Sequence, residues 1–392
     1  MSSPNLNFSD TEIAFKTKTN GDLRNSYLLF KAISYNWLVQ TGPKLVNFGF
    51  WVKLPLKGII KATVFKQFCG GENIEECQPA IELMGEYGVG TILDYSVEGE
   101  EREEVFDATA AEIIKTIEKA YQNPKIPFSV FKVTGIARFD LLAKVNAKLL
   151  LDTNEQAEFD RVKSRIDRIC QTAFNLEVRV FIDAEESWIQ DTIDLLAENM
   201  MMLYNKVQPI VYNTLQFYRH DRLSFLKLSI AHATKQHYYY GVKLVRGAYM
   251  EKEIARAREM GYQNPIQSSK QASDEAYNNS LQICTDHIDI VAICAGTHNE
   301  ESCKLLTAIM DQKGLKNNDE RIYFSQLYGM SDNLSYNLAN AGYKVAKYLP
   351  YGPVKAVLPY LFRRAQENTS VKGQAGRELS LIETELKRRK TK

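Results

Sequence analysis

Arg363 and Arg364 stand side by side in the stretch YGPVKAVLPYLFRRAQEN, with Glu367 one turn on. Two guanidinium groups can hold a carboxylate by paired charge-assisted hydrogen bonds, because each planar fork matches the planar anion. Neighbours on a helix point about 100° apart, so the commoner fate of such a pair is a solvated charged face. A ligand approached along the helix edge can still meet both. Lys132, in FKVTG, would make the pocket more positive. Other polar or charged groups close short β-rich runs: Asp94 in LDYS, Asp183 in FIDAEES, Gln216 in YNTLQFY, Lys243 and Arg246 in KLVRGAY, Thr297 and His298 in AGTHNE, Leu327 with Tyr328 in SQLYGM, and Tyr348 in KYLPYG. Singly, each reads more readily as structural: a buried lysine is usually half of an ion pair, and a lone histidine more often caps a helix than catalyses. Their shared position at strand ends is what suggests a site.

The chemistry such a site can do is narrowed by what the sequence lacks. Among five histidines there is no H-x-x-x-H, no H-E-x-x-H and no cysteine–histidine cluster, so no metal site is expected. No G-x-S-x-G nucleophile elbow and no G-x-G-x-x-G phosphate loop occurs. A cationic, carboxylate-binding site without nucleophile or metal points to an organic cofactor that carries the reaction.

The elements that must position these groups can be read from periodicity. Strands are expected over Gly90–Tyr95, Phe128–Val133, Val178–Asp183, Pro209–Phe217, Gly241–Gly247, Asp289–Ala295, Arg321–Tyr328 and Lys344–Tyr351. Helical stretches separate them, for example Glu103–Tyr121, Asn154–Ala173, Ser187–Met202 and Val354–Asn368. Eight strands alternating with helices predict an α/β fold, a (β/α)8 barrel over residues 89–392, preceded by a helical arm over residues 1–88. A doubly wound open sheet is the competitor; it usually carries fewer strands and a glycine-rich loop. In the barrel, function gathers at the carboxyl ends of the strands, where the polar groups fall.

Composition agrees with a globular chain of 392 residues: 45% hydrophobic and 25% charged residues suffice for a full core. A net charge of +1 gives no reason to expect a nucleic-acid partner. Six cysteines without a C-x-x-C pair suggest a reducing compartment. The first residues carry Asp10, Glu12 and Asp22 and lack a signal-peptide core. The expected location is cytoplasmic, peripheral at the inner membrane in a bacterium, or mitochondrial in a eukaryote. The stretch Leu45–Phe68 is apolar but broken by Lys53, Lys57, Lys61 and Lys66. It reads as a core or arm helix pair, or alternatively as a surface that touches a membrane. Oligomeric state is not legible.

KLVRGAYMEKE, GTHNEES and SQLYGMSDNLSYNLANAGYKVAKYLPYGPVKAVLPYLFRRAQEN together closely resemble the proline dehydrogenase family, nearest to its single-function, eukaryote-like branch; the likeness runs from about Gly88 to Gly373. The resemblance implies a distorted (β/α)8 barrel whose last helix covers the mouth, and a flavoenzyme that oxidises L-proline to Δ1-pyrroline-5-carboxylate by hydride transfer from C5 to N5 of FAD. It implies that Lys132, Arg363 and Arg364 bind the proline carboxylate. Asp183, Leu244, Leu327, Tyr348 and Tyr360 would line the ring pocket. Lys243 would lie near the flavin N5 and Gln216 against the isoalloxazine. Val245, Gly247, Ala248, Thr297, His298 and Glu367 would hold the rest of FAD, with Lys270 near its phosphates. Many bacterial relatives have arginine where this chain has Lys243, and lysine lacks the directional fork. Single-function members usually pass electrons to membrane quinone, which is the implied acceptor. Alternative readings are another FAD-dependent barrel, methylenetetrahydrofolate reductase-like, or a barrel without catalysis.

Overall fold

The computed structural model of the protein describes residues 6–35, 37, 41–42, 46, 55–96, 101–370 and 374–391. Eight strands, β1 (Val89–Tyr95), β2 (Phe128–Phe131), β3 (Arg179–Ile182), β4 (Val211–Gln216), β5 (Tyr240–Val245), β6 (Val291–Gly296), β7 (Ile322–Leu327) and β8 (Val345–Tyr351), close a barrel in chain order. Helices separate consecutive strands, so the fold expected from the alternation is the fold observed. By contact the chain divides into two compact units: residues 99–325, with β2 to β6 and most of β7, and residues 1–98 joined to 326–392, with β1 and β8.

In the unit 99–325 the strands are short and almost wholly buried, as parallel strands beneath helices must be. Which face looks inward is settled by aromatic rings. Phe128 of β2 stacks on Phe181 of β3 with centroids 4.4 Å apart, and it meets Tyr212 of β4 at 5.5 Å and Tyr323 of β7 at 4.8 Å. β2 and β7 are not neighbours, so these rings meet across the interior. The register then carries that phase along the sheet: Tyr212 pairs with Gly241, Thr214 with Lys243, Gln216 with Val245, and Lys243 with Cys294. In-register neighbours share a face, and residues two apart along a strand do too. Helix starts follow from local chemistry. Asp152, for example, accepts from the Asn154 and Glu155 amides at 2.8 and 2.9 Å while Glu155 returns a bond to the Asp152 amide, a capping box that opens the helix Thr153–Asn175.

In the other unit β1 and β8 pair from Val89–Val345 to Tyr95–Tyr351. Its core is one buried cluster that joins the two ends of the chain: Leu23, Phe30 and Ile33 of the helix Asn20–Ile33, then Phe65 and Phe68, then Val357, Leu358, Tyr360 and Leu361 of the helix Val354–Ser370, then Leu381 and Ile382 of the helix Gln374–Thr391. The helical arm is thus part of the seat of the last helices. Much of the stretch 45–68 lies outside the described residues. From residue 56 it is helical, with a π-helical turn at Lys61–Phe65. Of its lysines that are described, Lys57 and Lys61 pair with Glu72 at 3.0 and 2.8 Å, and Lys66 with Asp22 at 3.3 Å. Among the described residues no helix is long and apolar enough to cross a membrane.

Candidate functional site

Within the unit 99–325, inward positions at the carboxyl ends of the strands carry the polar groups. Asp183 stands one residue past β3 and Lys132 one residue past β2, where the strand gives way to a single 3-10 turn, Val133–Gly135. The Asp183 amide donates to the Phe131 carbonyl at 2.9 Å, so the sheet bonding continues to that level. Lys243, buried on β5, donates to the Asp183 carboxylate and lies 5.3 Å over the Phe181 ring. Cys294 is inward beside Lys243, and burial pushes its thiol up to about 11, which leaves it inert at neutral pH. Val245 shares this face. Leu244 does not: it is fully buried, and strand alternation turns it toward the helical layer.

Gln216 closes β4 with 3% of its surface exposed. Its Nε2 donates to the Glu185 carbonyl at 2.7 Å, while its Oε1 takes only a long 3.4 Å contact from the Ala248 amide. Beside it, the Thr214 and Tyr218 hydroxyls are buried with no hydrogen-bond partner among the described residues. Gly247 has φ of +131°, and a Cβ there would lie 2.5 Å from the Tyr218 ring, so only glycine fits this turn. Next to these, Arg246 forms a fan: Nε to Asp274 at 2.6 Å, Nη1 to the Thr297 hydroxyl at 2.8 Å and Nη2 to the Ser302 hydroxyl at 2.9 Å, with the guanidinium 4.4 Å over the Tyr277 ring. Lys270, exposed at the start of the helix Lys270–Asp286, reaches the same Asp274 at 2.6 Å. His298 follows Thr297 and is half-buried. Incompletely used amide and hydroxyl groups, followed by cationic side chains at a helix start, are the donor set that a heterocycle linked to phosphates requires. The residues present therefore fit a flavin dinucleotide.

In the other unit, Arg364 is 7% exposed and lies 5.1 Å over the ring of Tyr360, which is itself buried. Arg363 is half-buried. The solvated-face reading of the pair is thereby excluded for Arg364. Tyr348 is buried at the middle of β8, which runs three residues further, to Tyr351. Leu327 closes β7 half-buried, and the turn that follows it is held from several sides. Lys347 donates to the Met330 carbonyl at 2.6 Å and pairs with Asp332 at 2.7 Å. The Ser331 amide donates to Glu378 of the last helix at 2.6 Å. Glu367 lies in the helix Val354–Ser370, but its side chain is outside the described residues.

Two groups of this architecture escape a reading based on strand ends. Glu185 lies two residues beyond Asp183 in a loop, and Glu378 lies on a helix far along the chain; only the run DAEES hinted at the first. Among the described residues no cluster of His, Cys, Asp or Glu could hold a metal ion.

A family model described as proline dehydrogenase matches residues 77–377. Proline dehydrogenase 1, mitochondrial, of Dictyostelium discoideum is 32% identical, over 97% of this chain and 74% of its own length. Hydroxyproline dehydrogenase of Xenopus laevis is 30% identical, over 98% of this chain and 90% of its own. Among solved structures, proline utilization A (PutA) from Bdellovibrio bacteriovorus, inactivated by N-propargylglycine, superposes with a TM-score of 0.72 at 18% identity, over 95% of this chain and 40% of that one. At that identity the likeness is one of fold, and this chain spans less than half of that protein.

Proposed function

The chain belongs to the proline dehydrogenase family and oxidises proline, the first step of proline catabolism, and we propose from that premise how its residues do it. The cofactor is FAD, held noncovalently, which supplies a hydride acceptor for proline C5 and so yields Δ1-pyrroline-5-carboxylate. Arg363, Arg364 and Lys132 clamp the substrate carboxylate. Tyr348, Tyr360, Leu327 and Asp183 enclose the ring. The clamp fixes the substrate and the enclosure excludes water, which is the positioning contribution expected of a protein around a reactive cofactor. The positive field of the clamp also favours loss of the proline amine proton, by disfavouring the ammonium form. Lys243, held by Asp183, is the charged side chain at the flavin N5. Gln216 meets the flavin ring, and Val245, Gly247, Ala248, Thr297, His298, Lys270 and Glu367 hold the remainder. Quinone is the proposed electron acceptor.

The single observation that best supports this reading is the inward group of Gln216, Lys243 and Asp183, in which buried amide and hydroxyl capacity is left unused beside a paired lysine. The test is a spectrum. The purified protein should absorb in the flavin region, and proline should bleach that absorbance without oxygen. Acid precipitation should release the flavin to the supernatant. Colour that stays with the pellet contradicts noncovalent binding. Bleaching by a nicotinamide donor but not by proline would favour the methylenetetrahydrofolate reductase-like alternative.

A further inference from the structure

Glu185 is not part of the proposed clamp or of the flavin contacts, yet it touches the support of both. The side chain is 3% exposed. Oε1 accepts from the Thr134 amide at 3.0 Å, and Oε2 accepts from the Thr134 hydroxyl. Thr134 is the middle residue of the 3-10 turn Val133–Gly135, which begins directly after Lys132. The backbone of Glu185 is engaged as well. Its amide donates to Gln190 Oε1 at 2.8 Å, and its carbonyl accepts from Gln216 Nε2 at 2.7 Å. Gln190 in turn donates to Asp194, which also receives Asn213 and Arg222 at 2.9 and 2.7 Å. The loop that begins at Asp183 is thereby fixed to the turn after β2, to β4 and to the helix Ser187–Tyr204.

We propose that Glu185 is a positioning residue that couples the substrate-binding cation Lys132 to the flavin-contacting amide of Gln216, through Thr134 on one side and its own carbonyl on the other. The proposal rests on the roles given above to Lys132 and Gln216. A carboxylate that accepts from both donors of Thr134, its amide and its hydroxyl, sets the path of the chain at Lys132 just past β2. The same residue's carbonyl sets the rotamer of Gln216. Substrate and flavin are then positioned by one buried group, and a shift of about 1 Å in either is the scale that costs an enzyme rate.

The groups that face this carboxyl are few. Thr134 bonds to it and Lys132 lies near it from the end of β2; Glu186 is its neighbour in the loop and is itself bound by Lys252 at 3.0 Å; Gln190 and Gln216 meet only its backbone. Burial pushes the carboxyl up to about 7 against the pull of Thr134 and Lys132. Around neutrality it therefore changes charge, and ionisation strengthens its hold on Thr134.

The test uses the holoenzyme with Glu185→Ala, Glu185→Gln, Thr134→Val and, in parallel, Lys132→Met. Each is read by KM against kcat, by FAD content and by the fine structure of the flavin absorbance band. Glu185→Ala should raise KM for proline about tenfold and alter the flavin band, since one lost buried bond is worth several- to about tenfold and more than one is lost. Glu185→Gln keeps shape and acceptor, so it should restore most of KM and remove the inflection near pH 7 from the kcat/KM profile. Thr134→Val needs no buried charge to be accommodated and carries the test if Glu185→Ala does not fold; it should raise KM severalfold. If Glu185→Ala and Thr134→Val keep the parent KM and flavin band while Lys132→Met raises KM, the coupling is wrong and the Lys132 reading stands. If Lys132→Met also leaves KM unchanged, the reading of Lys132 and the coupling built on it both fall.

Discussion

At the scale of single residues, Arg364 is the group whose surroundings say most. A guanidinium buried to 7% exposure against the Tyr360 ring has been desolvated, and desolvating a charge is justified only by partners of good geometry. Arg363 beside it is half-buried. Replacing either by methionine keeps length and apolar bulk but removes charge-assisted hydrogen bonds worth about 1.5–3 kcal/mol each. The kcat/KM for proline should fall roughly ten- to a hundredfold in each variant with FAD content unchanged. Parent kinetics in both would remove the pair from the clamp. Tyr348 makes a different prediction. Buried in the middle of β8, it is proposed to face the proline ring carbon that bears the hydroxyl in 4-hydroxyproline, and a relative at 30% identity carries the name hydroxyproline dehydrogenase. Tyr348→Ser should lose activity on proline and gain relative activity on trans-4-hydroxy-L-proline. One group in a pocket shifts such a ratio by about 1–3 kcal/mol, or roughly ten- to two-hundredfold. An equal fall on both substrates would make Tyr348 a stability residue.

At the scale of elements, the turn after β7 shows how a side chain at a barrel mouth is held. Gly329 has φ of +76°, and a Cβ there would stand 1.9 Å from the Gln67 carbonyl oxygen; Gln67 Nε2 donates to the Gly329 carbonyl at 2.7 Å. Ser331 takes φ of +50° and gives its amide to Glu378. Burial and the nearby Asp332 push the Glu378 carboxyl up to about 7, while Lys347 pulls the other way. A carboxyl raised in the folded state favours the protonated fold. Its stabilising contribution is full below the unfolded value near 4.5 and is lost as pH rises through about 7. Glu378→Gln cannot ionise, so its melting temperature relative to the parent should rise between pH 5 and pH 8. A difference constant across that range would mean that Glu378 does not titrate there. The eight strands were legible because buried parallel strands are short runs bounded by polar residues, and each expected run overlaps an observed strand. Ends were less legible: Lys132 and Asp183 lie just beyond their strands because the chain turns at the rim, where hydrogen bonding and not side-chain pattern decides. Glu378 left no periodic signal, since its part depends on a partner distant in sequence, the Ser331 amide.

At the scale of the whole molecule, the two ends of the chain form one core, and this makes the arm more than an appendage. Phe30 is 1% exposed, packs edge-on to Phe68 with centroids 6.2 Å apart, and belongs to the buried cluster that contains Tyr360 and Leu361. The helix that carries Arg363 and Arg364 is therefore seated on residues from the beginning of the chain. Phe30→Ala should remove about 3–5 kcal/mol of stability by loss of apolar burial and by the cavity left behind. If seating matters to the clamp, it should also raise KM for proline severalfold, because the arginines ride on the loosened helix. Stability loss alone is an inadequate reading, so Ile166→Ala provides the comparison. Ile166 is fully buried in the helix Thr153–Asn175, in the other compact unit, and its truncation costs a similar amount, about 2–5 kcal/mol. Both variants are to be assayed well below their melting temperatures, so that each is folded during the measurement. A KM raised by Phe30→Ala and unchanged by Ile166→Ala assigns the arm a part in substrate binding. Equal KM values in the two leave the arm as a stabilising element and place the orientation of Arg363 and Arg364 within their own helix.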